Sequence, residues 1–311
     1  MDLLGPGDGA YAMPRMLPLS GGHSGETFLA ESAGERTVVR IYAARGATRG
    51  PNAAEVDAAV LRLVRGLVPV PEVLEVRRAD PSAGTPALLV TRWLPGTRLD
   101  EVLPRADETL AAALGRSVGI VLSSLAQMPM LRGGSFVDGE LRIGPMPWGA
   151  DDLVSWVEEL LGKGGLLVGW HPAEREGLVG VAERAQDLID RASRVCLVHS
   201  DLNPKNVLVD PATGGVTGLV DWEFAHAGGP FTDLGNLLRF DRRPAFADAV
   251  VATYQERVVD APEDLLERAR AADLFALVEL ASRRGQNPVA DRAHDLLLAI
   301  ARTGDLQAAP A

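Results

Sequence analysis

An ordered set of polar residues between positions 199 and 221 constrains this chain more than any other feature. His199, Asp201 and Asn206 follow one another at the spacing His-x-Asp-x-x-x-x-Asn. An apolar run, a Gly-rich turn and a second apolar run then lead to Asp221. This order predicts a loop, a β-hairpin and a second loop that bring two carboxylates and an amide together. The combination is typical of phosphoryl transfer from a nucleotide.

Each member of this set has a residue type that suits a chemical role. Asp201 is the candidate that accepts the proton of an acceptor hydroxyl or orients that hydroxyl. Asn206 offers an amide oxygen and Asp221 a carboxylate, which are ligands that suit Mg²⁺ on nucleotide phosphates. His199 is expected to brace the loop by hydrogen bonding rather than to act as an acid or base. For Lys205, a solvated side chain is favoured over a phosphate contact.

Length, charge and cysteine content limit the class of protein. A chain of 311 residues exceeds the size at which one core usually keeps growing, so we expect two lobes. The net charge of −11 argues against nucleic acid or anionic membrane as a partner and permits a cationic substrate. The single cysteine, Cys196, lies in an apolar run and fits a buried position in a reducing compartment. We recognise neither a signal peptide nor a spanning stretch, which predicts a soluble cytoplasmic protein.

The spacing of apolar residues predicts a change of architecture near residue 93. The first part of the chain shows short β-branched runs around one helix at residues 52–65. After Leu94-Pro95-Gly96 the chain is mainly helical, with a Gly/Pro-rich loop at residues 133–149. The predicted fold class is α+β, with a small antiparallel sheet lobe at 1–92, a hinge at 93–96 and a larger helical lobe at 97–311.

A strand-rich lobe, a Pro-Gly hinge and a helical lobe with the motif of residues 199–206 resemble the bilobal protein-kinase-like fold. In detail, the chain resembles the aminoglycoside phosphotransferase family of small-molecule kinases. Pro204 in the catalytic loop and Asp221-Trp222-Glu223 in place of Asp-Phe-Gly favour this branch over eukaryotic protein kinases. The interval from Asp221 to Asp233 is also too short for an activation loop. The resemblance implies ATP or GTP as the donor and Mg²⁺ as the metal.

The resemblance also implies nucleotide contacts in the first lobe. A Gly-rich loop would cover the phosphates through its backbone N–H groups, with Gly22 and Ser24 as the contact residues. Arg40 stands on the third strand, where many relatives carry lysine, and it can bind phosphate through two donors. Asp57 on the following helix is the expected partner of Arg40, with Glu55 as the alternative.

Other residues are expected to contact adenine, to support the catalytic loop or to bind the acceptor molecule. By register against Leu94-Pro95-Gly96, the Thr91 carbonyl and the Trp93 N–H are expected to contact adenine. Asp233 resembles a family aspartate that ties the catalytic loop to a helix start. Several acidic residues are candidates to line a cleft for an amine, against the alternative of solvated helix acids: Glu223, Asp151, Asp152, Glu158 and Glu159.

Together these residues predict an ATP- or GTP-dependent, Mg²⁺-requiring O-phosphotransferase that acts on a small cationic molecule. Inactivation of an antibiotic, either aminoglycoside-like or a basic peptide, is the activity that the resemblance favours. A metabolic kinase for choline, homoserine or a sugar is the alternative within the same fold. A nucleotide-binding pseudokinase is the alternative from another class, and intact Asp201, Asn206 and Asp221 argue against it. The acceptor hydroxyl, the choice of nucleotide and the oligomeric state stay open.

Overall fold

The computed structural model describes residues 15–19, 26–32, 34–42, 49–146, 152–162, 169–192 and 194–309. The chain divides into two compact units. The first comprises residues 1–65, 70–94 and 138–140, and the second comprises 66–69, 95–137 and 141–311. The first is built around an antiparallel sheet and the second is mainly helical. The α+β fold class predicted from the sequence is confirmed.

The first unit is a five-stranded antiparallel sheet with a helix against it. The strand order is β1-β2-β3-β5-β4. The strands are β1 (Arg15–Pro18), β2 (Glu26–Ser32), β3 (Glu35–Tyr42), β4 (Val73–Arg77) and β5 (Ala87–Arg92). Helix α1 (Ala53–Val64) contacts β4 and β5 and buries Val56, Val60 and Val64. These three residues recur at helical spacing, so their burial explains why this segment forms an amphipathic helix.

Helices make up most of the second unit. They are α2 (Leu99–Val102), α3 (Glu108–Ala126), α4 (Leu153–Gly162), α5 (Pro172–Asp190), α6 (Thr232–Leu238), α7 (Pro244–Arg257), α8 (Leu265–Ala281) and α9 (Pro288–Thr303). Helices α4, α5, α8 and α9 share one apolar core. Local signals set their ends: Asp107 caps α3 by accepting the Leu110 N–H at 2.8 Å, and Gly304 ends α9 with φ 71°.

Helix α3 is long and apolar enough to cross a membrane by length and composition, unlike any other helix in the part of the chain that is described. By length and composition alone, this helix departs from the expectation that the apolar stretches are too short or too often interrupted by charge to span a bilayer. The helix nevertheless packs against α7 within the second unit. A Cβ atom added at Gly115 would lie 2.4 Å from the main-chain oxygen of Phe246. Such a close approach of two helix backbones requires glycine, and it identifies α3 as a core helix.

Two small sheets also belong to the second unit. One has the order β11-β10-β6, formed by β6 (Thr97–Arg98), β10 (Val207–Val209) and β11 (Val216–Leu219). The other has the order β8-β7-β12-β9, formed by β7 (Gly134–Phe136), β8 (Ile143–Gly144), β9 (Cys196–Val198) and β12 (His226–Gly228). The prediction of an unstructured loop at 133–149 is wrong for β7 and β8. Strands this short carry no alternating pattern, and β12, which pairs with β7, comes from a distant part of the sequence.

Candidate active site

The β10–β11 hairpin brings Asn206 and Asp221 to one end of a sheet. Val207 lies opposite Leu219, and the main-chain oxygen of Asn206 accepts the Val220 N–H at 3.0 Å. Asn206 therefore precedes one strand at the end where Asp221 follows the other. Asp221 has left-handed backbone angles of φ 65° and ψ 58°. Residues with side chains seldom adopt this conformation, and it recurs at functional sites.

Two side-chain amides hold the carboxylate of Asp201. Asn203 donates from Nδ2 to Oδ1 at 2.7 Å, and Asn206 donates from Nδ2 to Oδ2 at 2.8 Å. Asn206 also donates to the main-chain oxygen of Asp201 at 2.8 Å. Lys205 places Nζ 3.8 Å from Oδ2, with 44% of its side chain exposed. Because a carboxylate has about four lone-pair sites, both oxygens can accept further hydrogen bonds.

The amide of Asn203 was not predicted as a site residue. Its oxygen accepts the Lys205 N–H at 3.1 Å, which begins the short 3-10 turn at Pro204–Asn206. The Asn-Pro pair is a sequence signal for such a turn. The contact of its nitrogen with Asp201 depends on how the loop folds back, which the turn signal does not specify.

His199 braces the catalytic loop against the hairpin. Its Nδ1 accepts the Asp201 N–H at 3.3 Å, and its Nε2 lies 2.9 Å from the main-chain oxygen of Val220. Since a main-chain N–H can only donate, Nδ1 is the acceptor and Nε2 carries the proton. The ring also packs on Trp222, with 4.6 Å between the centroids. Both ring nitrogens therefore take part in contacts that support the loop.

Asp233 holds the start of the same loop. Its two carboxylate oxygens accept the N–H groups of His199 at 2.8 Å and Ser200 at 2.7 Å. Burial raises the pKa of Asp233, and the bonds from the main-chain N–H groups of His199 and Ser200 oppose that rise. Ser200 has φ 66°, a left-handed conformation that is strained for serine. The Asp233 carboxylate therefore helps to fix an unfavourable backbone conformation immediately before Asp201.

In the first unit, the carboxylate of Asp57 is bound by a residue that the sequence did not indicate. Arg49 donates to both Asp57 oxygens at 2.5 and 2.9 Å, and the Tyr42 hydroxyl donates at 2.6 Å. Burial alone would lower the pKa of Arg49, but the bonds to Asp57 outweigh it and raise that pKa. Burial, followed by the Asp57 charge, raises the pKa of Tyr42. Arg40 lies over the Tyr42 ring, with Cζ 5.5 Å from the centroid.

This network changes the expected pairing on α1. Asp57 was expected to pair with Arg40, with Glu55 as the alternative. Among the described residues, Asp57 forms an ion pair with Arg49, and Glu55 forms one with Arg78. Arg49 lies in the connection between β3 and α1, where no periodic pattern identifies partners.

One of the expected adenine contacts at the end of β5 needs correction. The Trp93 N–H donates to the main-chain oxygen of Arg36 at 3.2 Å, which extends the β3–β5 ladder. Thr91, two residues earlier, lies opposite Val38 in the same ladder. Since alternate residues of a strand turn their polar groups to the same neighbour, both main-chain groups face β3. The Trp93 N–H is therefore used within the sheet, which contradicts its expected contact with adenine, whereas the Thr91 contact stays a prediction.

The candidate acceptor residues differ in their surroundings. Asp151, like Gly22 and Ser24 of the Gly-rich loop, lies outside the described residues. The Asp152 carboxylate accepts the N–H and hydroxyl of Ser155, which lowers the pKa of Asp152 and caps α4. Glu223 is buried in the short turn directly after Asp221. Glu158 and Glu159 are exposed on α4.

The residues at the hairpin end fit a magnesium ion that is shared with phosphates. No group of three or more His, Cys, Asp or Glu side chains suited to a metal occurs in the described ranges. Asn206 and Asp221 are two oxygen donors at one edge, and the Asn206 nitrogen already points to Asp201. A pair of oxygen ligands matches Mg²⁺, which usually takes one or two carboxylates together with substrate phosphates.

A clamped aspartate, an asparagine and a second aspartate on a hairpin define a kinase-like phosphotransferase site. The sequence profile of the phosphotransferase enzyme family (APH) matches residues 15–274. The chain therefore belongs to this family, and it is a phosphotransferase with a hydroxyl group as the acceptor. The suspected aminoglycoside phosphotransferase family is thus confirmed. No curated protein matched the chain in a sequence search.

Solved structures show the same protein-kinase-like fold. One is a thermostable mutant of aminoglycoside phosphotransferase APH(4)-Ia in a ternary complex with ADP and hygromycin B. It is 20% identical, with a TM-score of 0.66 over 94% of this chain and 96% of that one. Another is the GDP complex of wild-type aminoglycoside 2'-phosphotransferase-IIIa. It is 17% identical, with a TM-score of 0.63 over 96% of this chain and 90% of that one.

Proposed function

We propose that this enzyme transfers the terminal phosphoryl group of ATP or GTP, with Mg²⁺, to a hydroxyl of a small cationic molecule. An antibiotic is the favoured acceptor. The observation that carries the proposal is the Asp201 carboxylate, held by Asn203 and Asn206 with lone pairs still available. Phosphoryl transfer depends mainly on positioning, because its transition state is loose and needs little covalent help from the protein.

Asp201 would act on the acceptor hydroxyl. The hydroxyl donates a hydrogen bond to one Asp201 oxygen, and its own oxygen attacks the terminal phosphorus in line with the leaving diphosphate. The bond from phosphorus to that diphosphate breaks as the new one forms, and Asp201 takes the hydroxyl proton. His199 and Asp233 keep the loop in place during this step.

Asn206 and Asp221 are the residues that would hold the magnesium ion. When bound, Mg²⁺ would supply positive charge that neutralises the phosphate oxygens. The residues themselves contribute an amide oxygen and a carboxylate at the same end of the β10–β11 hairpin. The two roles of Asn206 are compatible, since its nitrogen holds Asp201 and its oxygen stays available.

In the first unit, Arg40 is the proposed phosphate contact, with Gly22 and Ser24 of the preceding loop. Arg40 stands on β3 opposite Leu89 of β5, in the interior of the sheet. A guanidinium can bind phosphate oxygens through two parallel N–H groups. We propose that the Arg49–Asp57 pair stabilises helix α1 on the sheet, a role separate from any contact with nucleotide.

The negative charge of the protein, rather than a defined pocket, supports a cationic acceptor. The protein has a net charge of −11, and the buried Glu223 lies two residues after Asp221. One structural relative holds hygromycin B together with ADP. An acceptor of this kind would meet the enzyme in the cytoplasm, in keeping with the lone buried Cys196.

A product screen by mass spectrometry tests this function. The enzyme is incubated with Mg²⁺ and ATP or GTP, and with kanamycin, streptomycin, hygromycin, a macrolide or a viomycin-like peptide. A parallel set contains choline, homoserine and simple sugars. We expect a phosphate added to a member of the first set, dependent on nucleotide. A product confined to the second set would refute the antibiotic acceptor and leave the kinase assignment intact, whereas no product in any set would count against both.

A further inference from the structure

Four arginines of the second unit converge where helix α6 ends. Arg270 of α8 donates from Nη1 to the main-chain oxygen of Leu238. Arg292 of α9 donates from Nη2 to the main-chain oxygen of Phe240 at 2.9 Å. The segment that follows α6 is therefore held between α8 and α9 by guanidinium groups. The cluster consists of Arg239, Arg242, Arg270 and Arg292.

The four arginines of the cluster carry more positive charge than the nearby carboxylates neutralise. Asp273 binds Arg239 through two bonds of 2.8 and 2.6 Å, and both side chains are buried. Burial, followed by the charge of Arg242, lowers the pKa of Arg270 to about 10. Burial also lowers the pKa of Arg242, with Asp305 opposing and Arg292 adding to that effect. The one buried carboxylate of the cluster is thus already used by Arg239.

Two N–H groups of the cluster are buried without an acceptor in the described part of the chain. They are Nε of Arg270 and Nη2 of Arg242. Arg270 as a whole is 8% exposed, and Arg242 is half-buried. Buried guanidinium donors are normally satisfied, because leaving the N–H group of a cation unpaired is costly.

We propose that Arg242 and Arg270 form a binding site for a small oxyanion, such as phosphate. An oxyanion presents several acceptor atoms close together, which matches two neighbouring guanidinium groups that each have a buried N–H donor without an acceptor among the described residues. It would also balance the excess positive charge. This site goes beyond the proposed phosphoryl transfer, because neither arginine belongs to the catalytic loop or to the hairpin that carries Asn206 and Asp221.

Inorganic phosphate is the probe for this site. Thermal unfolding and titration calorimetry are run over increasing phosphate, with sodium chloride adjusted to keep the ionic strength constant. Saturating ADP is present, so that phosphate does not report on the nucleotide site. The wild-type protein should show a saturable rise in melting temperature. Arg242→Gln should weaken phosphate binding about tenfold or more, because a charge-assisted bond is lost.

The control variant is Arg302→Gln, which removes the same charge from an exposed ion pair with Glu174. It should keep the wild-type response to phosphate. Phosphate also stabilises proteins in general by exclusion from their surface, and that effect would be equal in all variants. An equal shift in wild type, Arg242→Gln and Arg302→Gln would therefore overturn the proposal, as would the absence of any saturable binding.

A second variant separates binding from folding. Arg270→Met removes a buried charge together with the bond to the Leu238 oxygen, so its melting temperature without phosphate serves as its own baseline. Its phosphate-dependent shift should disappear. If Arg270 were purely structural, the variant would melt lower by the same amount at every phosphate concentration, which would contradict an oxyanion site.

Discussion

The ion pair between Arg49 and Asp57 allows a quantitative test of how the first unit is stabilised. Asp57 is 4% exposed and accepts two bonds from Arg49 and one from Tyr42. Arg49→Met leaves that buried carboxylate with one donor. Removing one partner of a buried ion pair typically lowers the free energy of unfolding by about 3–5 kcal/mol, and we expect Arg49→Met to lower it by this amount. Adding Asp57→Asn removes the unpaired buried charge, so the double variant should regain at least about 1 kcal/mol of that free energy.

Local unfolding is the quantity to measure, since two units need not unfold together. Hydrogen exchange of peptides from β3 and α1 reports on the first unit, and peptides from α8 serve as the internal reference. The matched control is Arg78→Met, whose partner is Glu55 and whose side chain is 83% exposed. A surface pair of this kind contributes about 0–1 kcal/mol. Equal effects of Arg49→Met and Arg78→Met, or strictly additive effects in the double variant, would refute the buried-pair argument.

Three further predictions concern the second unit. Asn203→Ala should lower kcat about 10–100-fold with little change in nucleotide KM, because one charge-assisted bond to Asp201 is lost. Ser200→Gly should change stability by less than about 1 kcal/mol in urea unfolding, since relief of left-handed strain offsets added flexibility. Gly115→Ala should lower the melting temperature through its backbone clash, whereas Gly180→Ala, which meets only a side chain at 3.7 Å, should raise it.

A helix was predictable from the sequence where apolar residues repeat at helical spacing over several turns. The sequence predicted a helix at residues 52–65, and the structure has it at Ala53–Val64. This segment repeats apolar residues at helical spacing over three turns. β7 and β8 were missed because strands of three and two residues depend on long-range pairing rather than on their own pattern.

The chemistry of the catalytic loop was predictable, but its supports were predicted less completely. Asp201, Asn206 and Asp221 could be named because their spacing repeats a known order of functional groups. Asn203 was missed, since its contact with Asp201 depends on the path of the loop. Arg49 was missed because a residue in a connecting segment has no pattern that identifies its partner.

The most direct test of the central claim is phosphoryl transfer by Asp201→Asn beside the wild type. Both proteins are given Mg²⁺, nucleotide and the acceptor found in the product screen, and the phosphorylated product is quantified by mass spectrometry. Nucleotide affinity is measured on the same samples, with Asp187→Asn, a change at an exposed residue of helix α5, as the matched control. We expect Asp201→Asn to lose at least about 100-fold in product formation while nucleotide binding is kept. Product formation at the wild-type rate by Asp201→Asn would contradict the account.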